Sequence, residues 1–216
     1  MLARLRDRLR PHEGMTLVEL LVTTSLLSVV SVIFLSIMIS VQRGVDFQID
    51  RSTDNDQARL AVQQLDREIR SGNVLYNPND TTYLSAGTPA GYGMLVYTQN
   101  NANIRNPGNR CVQWRIIDQQ MQRRDWATGD PAGTVTPWRV VAENVVNATL
   151  PADLGGPVPA FVLDTDPNKG ARIVNVTIVT QTDPDSGDPV RISASLTGRN
   201  TSYGYPLSVC ATVPAP

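Results

Sequence analysis

The amino-acid sequence predicts an α+β protein, a long N-terminal helix followed by an antiparallel β-sheet head, and three features lead there. Leu20–Val41 is 22 consecutive residues with no charge, no Gly and no Pro. Residues 42–72 stay rich in helix formers and free of proline, with Ala58, Ala61, Val62, Leu65 and Ile69 at the 3, 4, 7 and 8 spacings of one helix face. Beyond residue 72 the chain turns to short alternating apolar runs divided by Gly, Pro, Asn and Asp, the pattern of strands and turns.

The apolar run comes first. Twenty-two helical residues rise roughly 33 Å, enough to cross a hydrocarbon core of ~30 Å. The alternative, a buried core helix, suits a shorter segment. Arg4, Arg6, Arg8 and Arg10 outweigh Asp7 and Glu13 in the preceding tail, which the positive-inside rule keeps cytoplasmic. Residues 36–47, "SIMISVQRGVDF", offer no small-residue cleavage site of the secretory kind, so the run stays attached. The chain is therefore expected to be a single-pass cytoplasmic membrane protein in the lipid bilayer, its N-terminus cytoplasmic and its head extracytoplasmic.

Glu19 interrupts this picture, since a carboxylate within a membrane helix costs on the order of 2.5–3.5 kcal/mol at mid-bilayer and somewhat less near the interface. From the residues alone, it either reaches back to the cytoplasmic headgroups or meets a cation on another helix. The stretch "EGMTLVELL", residues 13–21, resembles the class III signal of type IV prepilin-like precursors. That pattern is a basic leader ending in Gly, a hydrophobic first mature residue and a Glu four residues further on. The resemblance implies cleavage between Gly14 and Met15 by a prepilin peptidase, N-methylation of Met15, and a role for Glu19 in assembly with other pilin or pseudopilin subunits on an inner-membrane platform. Met15 stands where the family usually has Phe. The apolar helix lacks the Pro often found in major pilins, which fits a minor subunit. Physically, a new α-amino group at Met15 is cationic near neutral pH. Beside a neighbour's Glu19 in a staggered helix bundle it neutralises a charge that a lone subunit leaves uncompensated.

This divides the chain into a basic leader (1–14), a transmembrane and assembly helix (15–41), its amphipathic continuation (42–72) and an extracytoplasmic β-rich head (73–216). The helix is expected to run unbroken from about residue 15 to Arg70, roughly 84 Å, and to end at Ser71-Gly72. Gly44 and the polar stretch 50–57 are its weakest points, and two helices joined by a loop there is the alternative.

In the head, residues 73–110 read mostly as loop, with one strand at 92–98. "CVQWRI" (111–116) places Val112, Trp114 and Ile116 on one side and Gln113 and Arg115 on the other, and "QQMQRRDW" (119–126) follows to make a hairpin. Further strands are expected at 137–145, 171–180 and 190–198, the last two joined across the turn-rich "QTDPDSGDP". Pieces such as "ARLAVQQLDREIRSG" and "VQWRIIDQQMQRRDW" loosely resemble J-type minor pseudopilins of type II secretion and W-type minor pilins.

Cys111 and Cys210 are the two cysteines. Outside the cytoplasm they are expected to form a disulfide, with two buried thiols as the alternative. His12, the single histidine, sits in the leader, so the head has no histidine base, triad or histidine-ligated metal. No cofactor is expected, and the chain reads as a structural protein rather than an enzyme. The net charge of −1, with one dense Arg run at 4–10, gives no nucleic-acid site. Weaker signals read as ordinary surface. "DTDPNKG" (164–170) and "DPDSGD" (183–188) resemble cation loops but read as hydrated turns. Sequons begin at Asn79, Asn147, Asn175 and Asn200. Arg123 and Arg124 beside Trp126 form either a cation–π patch or, preferred here, a solvated strand face. The closing "VPAP" is expected to fray. Two other functions stay open, a singly anchored extracellular binding module that does not polymerise and an exported enzyme using carboxylates.

Overall fold

The computed structural model describes residues 15–98, 108–164, 172–182, 189–198 and 205–215. The leader with Gly14, all but Asp164 of the Asp-rich loop at 164–170, the whole of that at 183–188 and the sequon at Asn200 lie outside them. The chain divides into two compact units, Met1–Gln48 and Ile49–Pro216.

The first unit is the N-terminal part of helix α1 (Leu17–Ser71). Its large apolar side chains from Met15 to Val45 are 48–80% exposed. One window has a mean hydropathy of 2.4 with none of its surface buried, so α1 is long and apolar enough to cross a membrane. Its hydroxyls turn inward: Thr23 donates to Leu20 O, Ser25 to Val22 O, Ser28 to Ser25 O and Ser36 to Ile33 O, at 2.7–3.0 Å. These hydroxyls are thereby satisfied by their own helix, as an apolar solvent requires.

The second unit takes the rest of α1, which is helical through residues 50–57. The expected face is the buried one: Ala58, Ala61, Leu65 and Ile69 are fully buried, while Arg70 pairs with Asp66 on the exposed side. The polar stretch holds because Asp54 is itself buried, accepting from Asn144 Nδ2 at 2.9 Å and Thr182 Oγ1 at 2.7 Å.

Strand β1 (Gly72–Leu75) follows α1 with no intervening loop. A Cβ at Gly72 would lie 2.7 Å from Val96 Cγ1 and 3.0 Å from Ile69 O, so only glycine lets the helix end this close to the sheet. With β2 (Gly93–Thr98), β3 (Arg110–Ile117), β4 (Gln120–Ala127) and β5 (Arg139–Ala142), β1 forms a five-stranded antiparallel sheet in sequence order. The β3–β4 turn is Asp118-Gln119, both left-handed at φ 49° and 58°, the two-residue geometry that matches strand twist. A separate three-stranded antiparallel sheet holds β6 (Phe161–Leu163), β7 (Ile173–Thr180) and β8 (Val190–Thr197). This is an α+β, pilin-like fold.

The head departs from expectation in five places. There are two sheets rather than one. β1 occupies residues read as loop, and β6 was not anticipated. β5 is four residues long, since Glu143 and Asn144 leave the ladder to bond α1 through Gln57 and Asp54. The "VPAP" segment is held by side chains of the sheet through residues 213–215, as described below.

Alternation sorts the five-stranded sheet into two faces. Met94, Val96, Val112, Trp114, Ile116 and Met121 meet α1 and the second sheet in the main core. On the opposite face Leu95, Tyr97, Cys111 and Trp126, with Val74 and Tyr76, are covered by Tyr205, Val209, Cys210 and Val213.

Candidate functional site

At the start of α1, Met15 precedes the first helical residue and Glu19 lies in the first turn, both exposed. Thr16 caps the helix: its Oγ1 accepts the backbone N–H of Glu19 at 3.2 Å, and its carbonyl accepts that of Leu20 at 3.1 Å. Thr16-Leu17-Val18-Glu19 has the Thr-x-x-Glu spacing of a capping box. Sequence reasoning fixed on the carboxylate and overlooked the hydroxyl three residues before it. Glu19 thus has a local function, since an acid in the first turn complements the helix dipole. No cation pairs with it among the described residues.

Beneath the C-terminal end of α1 lies a second charged group. Glu68, 1% exposed, accepts Trp114 Nε1 at 2.6 Å and Arg123 Nε at 2.7 Å. Arg123 Nη1 continues to Asp125 Oδ1 at 2.9 Å, and Arg110 pairs with the other Asp125 oxygen. Two guanidinium groups and two carboxylates therefore alternate across the core face of β3 and β4. Burial pushes the Glu68 carboxyl above the ordinary carboxylate range, with Arg123 opposing. Burial acts to lower Arg123, but Glu68 and Asp125 together hold it above its usual value. The chain of charges ties helix to sheet. The Arg123 of the expected solvated strand face is thus half-buried in an ion-pair network.

Arg124 points the other way and is not solvated either, at 2% exposure. Its Nε donates to Gln113 Oε1 at 2.9 Å, Nη1 to Ala215 O at 2.9 Å and Nη2 to Pro214 O at 2.8 Å. Its Cζ lies 5.6 Å from the Trp126 ring centre and 4.4 Å from that of Trp138. Cys111 and Cys210 are joined in a disulfide, Cα atoms 5.9 Å apart. Beside it Tyr76 Oη donates to Leu207 O at 2.8 Å and accepts from Cys210 N at 3.1 Å. Residues 205–215 are thereby fixed to the sheet by a covalent bond, a tyrosine and an arginine.

Of the sequons, Asn147 is fully buried, its amide spent on Val158 O, Thr177 O and Val179 N, while Asn79 and Asn175 are exposed. Among the described residues no three His, Cys, Asp or Glu side chains gather as a metal site. Compared with known proteins, the chain matches no family model and no curated sequence.

Proposed function

We propose that the protein is a minor pilin or pseudopilin, a structural subunit of a type IV pilus or of a type II secretion-like filament, with no catalytic role. In this reading a prepilin peptidase cuts after Gly14, Met15 becomes the methylated N-terminus, and residues 15–41 anchor the subunit in the bilayer until an inner-membrane platform adds it to other subunits. The observation that carries the proposal is the apolar surface of α1 from Met15 to Val45, exposed on every side with a carboxylate in its first turn. A helix apolar all round is stable in lipid or in a bundle of like helices. In a bundle, Glu19 meets a neighbour's α-amino group.

Mass spectrometry of the mature chain from cells carrying the peptidase tests this. A terminus at Met15 supports processing, and an intact leader refutes it. The capping contact of Thr16 favours a second reading, in which Glu19 serves only its own helix and the protein is a singly anchored extracellular module that does not polymerise. Glu19→Ala separates the two: cleavage is retained in both, but incorporation into filaments is lost only if Glu19 pairs between subunits.

A further inference from the structure

The two faces of the five-stranded sheet treat their arginines differently. On the core face Arg110 and Arg123 are matched by Asp125 and Glu68. On the opposite face Arg115 and Arg124 share one aromatic ring, Trp138, their Cζ atoms 3.8 and 4.4 Å from its centre, and no carboxylate pairs with either among the described residues.

Arg124 is buried among neutral oxygens, as described, and its guanidinium is pushed down to about 10 by burial and by Arg115. Arg115 is half-buried. Its Nε donates to Gln122 Oε1 at 2.9 Å, and among the described residues no hydrogen bond occupies its terminal Nη groups. Asp118 acts on it electrostatically without forming an ion pair. Trp138 Nε1 is also buried without an acceptor. Two cations thus stand together over one ring, with the Nη donors of Arg115 to spare. Buried donors without acceptors and buried like charges are both costly, and both are relieved by an oxyanion.

We infer that Arg115, its guanidinium seated over the Trp138 ring and backed by Arg124, forms a carboxylate-binding site on this face of the head. The ring below and the Gln122 bond at Nε restrain the guanidinium and leave its two Nη groups, the pair that takes a carboxylate through two parallel hydrogen bonds. Arg124 is already held by Gln113 and the tail and contributes only charge. The carboxylate comes either from a small organic acid or from an Asp or Glu side chain of another protein. The site is independent of the filament reading.

The test uses the full chain in detergent micelles, titrated at constant ionic strength with sodium acetate, with a hexaglutamate peptide, and with sodium chloride as the control. Thermal midpoint and tryptophan fluorescence are followed, with Trp138→Phe assigning the optical signal. The wild type is expected to show a saturable rise in midpoint with a carboxylate probe and none with chloride. Arg115→Gln is expected to weaken the response about tenfold, the scale of one charge-assisted contact. Arg115→Lys, which keeps charge but loses the fork, falls between. Saturation by acetate and peptide alike indicates a small-acid site, and saturation by the peptide alone indicates a protein partner. A wild-type response equal to that of chloride overturns the proposal, even if a variant fails to fold, and so does an unchanged response in a folded Arg115→Gln.

Discussion

The alternating charges under the end of α1 give the most demanding prediction. Replacing Glu68 by Leu leaves Arg123 Nε and Trp114 Nε1 buried without acceptors and unbalances the cluster by one positive charge. Breaking a buried pair from one side costs about 3–5 kcal/mol. Arg123→Leu costs a similar amount, because among the described residues Glu68 then keeps Trp114 and Gln64 as its close donors. In the double variant Arg110 and Asp125 remain matched. The residual cost is mainly the orphaned Trp114 N–H, about 1–3 kcal/mol. The single losses therefore do not add, and the cycle gives a coupling of at least about 3 kcal/mol, the upper end of what residues in contact usually show. Urea unfolding of the full chain in detergent, followed by near-ultraviolet circular dichroism, measures all four corners. A coupling below about 1 kcal/mol refutes the claim that the two side chains stabilise each other.

The other expectations are simpler. Leu65→Ala, at a fully buried position, is expected to cost about 2–5 kcal/mol, whereas Leu60→Ala, exposed on the other side of α1, stays within about 0.5 kcal/mol; equal effects in the same unfolding assay count against the assigned helix face. Gly72→Ala forces a methyl against Val96 and Ile69 and is expected to lose about 1–3 kcal/mol, read as a lower urea midpoint. Replacing both Cys111 and Cys210 by Ala releases a loop whose ends are 99 residues apart, worth up to about 4.7 kcal/mol in the chain-entropy model; an unchanged midpoint refutes that cross-link contribution.

The helix was legible because its signals are local. An uncharged run and a 3.6-residue period need no knowledge of distant residues, and Ala58, Ala61, Leu65 and Ile69 are where the period puts them. The β3–β4 hairpin was legible for the same reason, with Trp114 and Gln113 on opposite faces. What escaped depends on contacts far apart in sequence. β6 is three residues long and has no period to read. β5 is cut short because Asn144 bonds Asp54, 90 positions away. Arg124 looked like surface because its oxygen partners lie at residues 214 and 215. At the other end the capping hydroxyl of Thr16 was visible in the sequence but lay next to a more conspicuous carboxylate.

The closing strap over the second sheet face bears on how the head is made. Residues 205–215 emerge from the ribosome after every strand they cover. Until then Tyr76, Tyr97 and Trp126 have no cover from them, and Cys111 lacks the partner thiol it must find 99 residues later. Oxidation and burial of this face therefore wait for residues 205–215. A chain cut short before Cys210 presents an aromatic surface and a free thiol, the combination that quality-control proteases and holding chaperones bind.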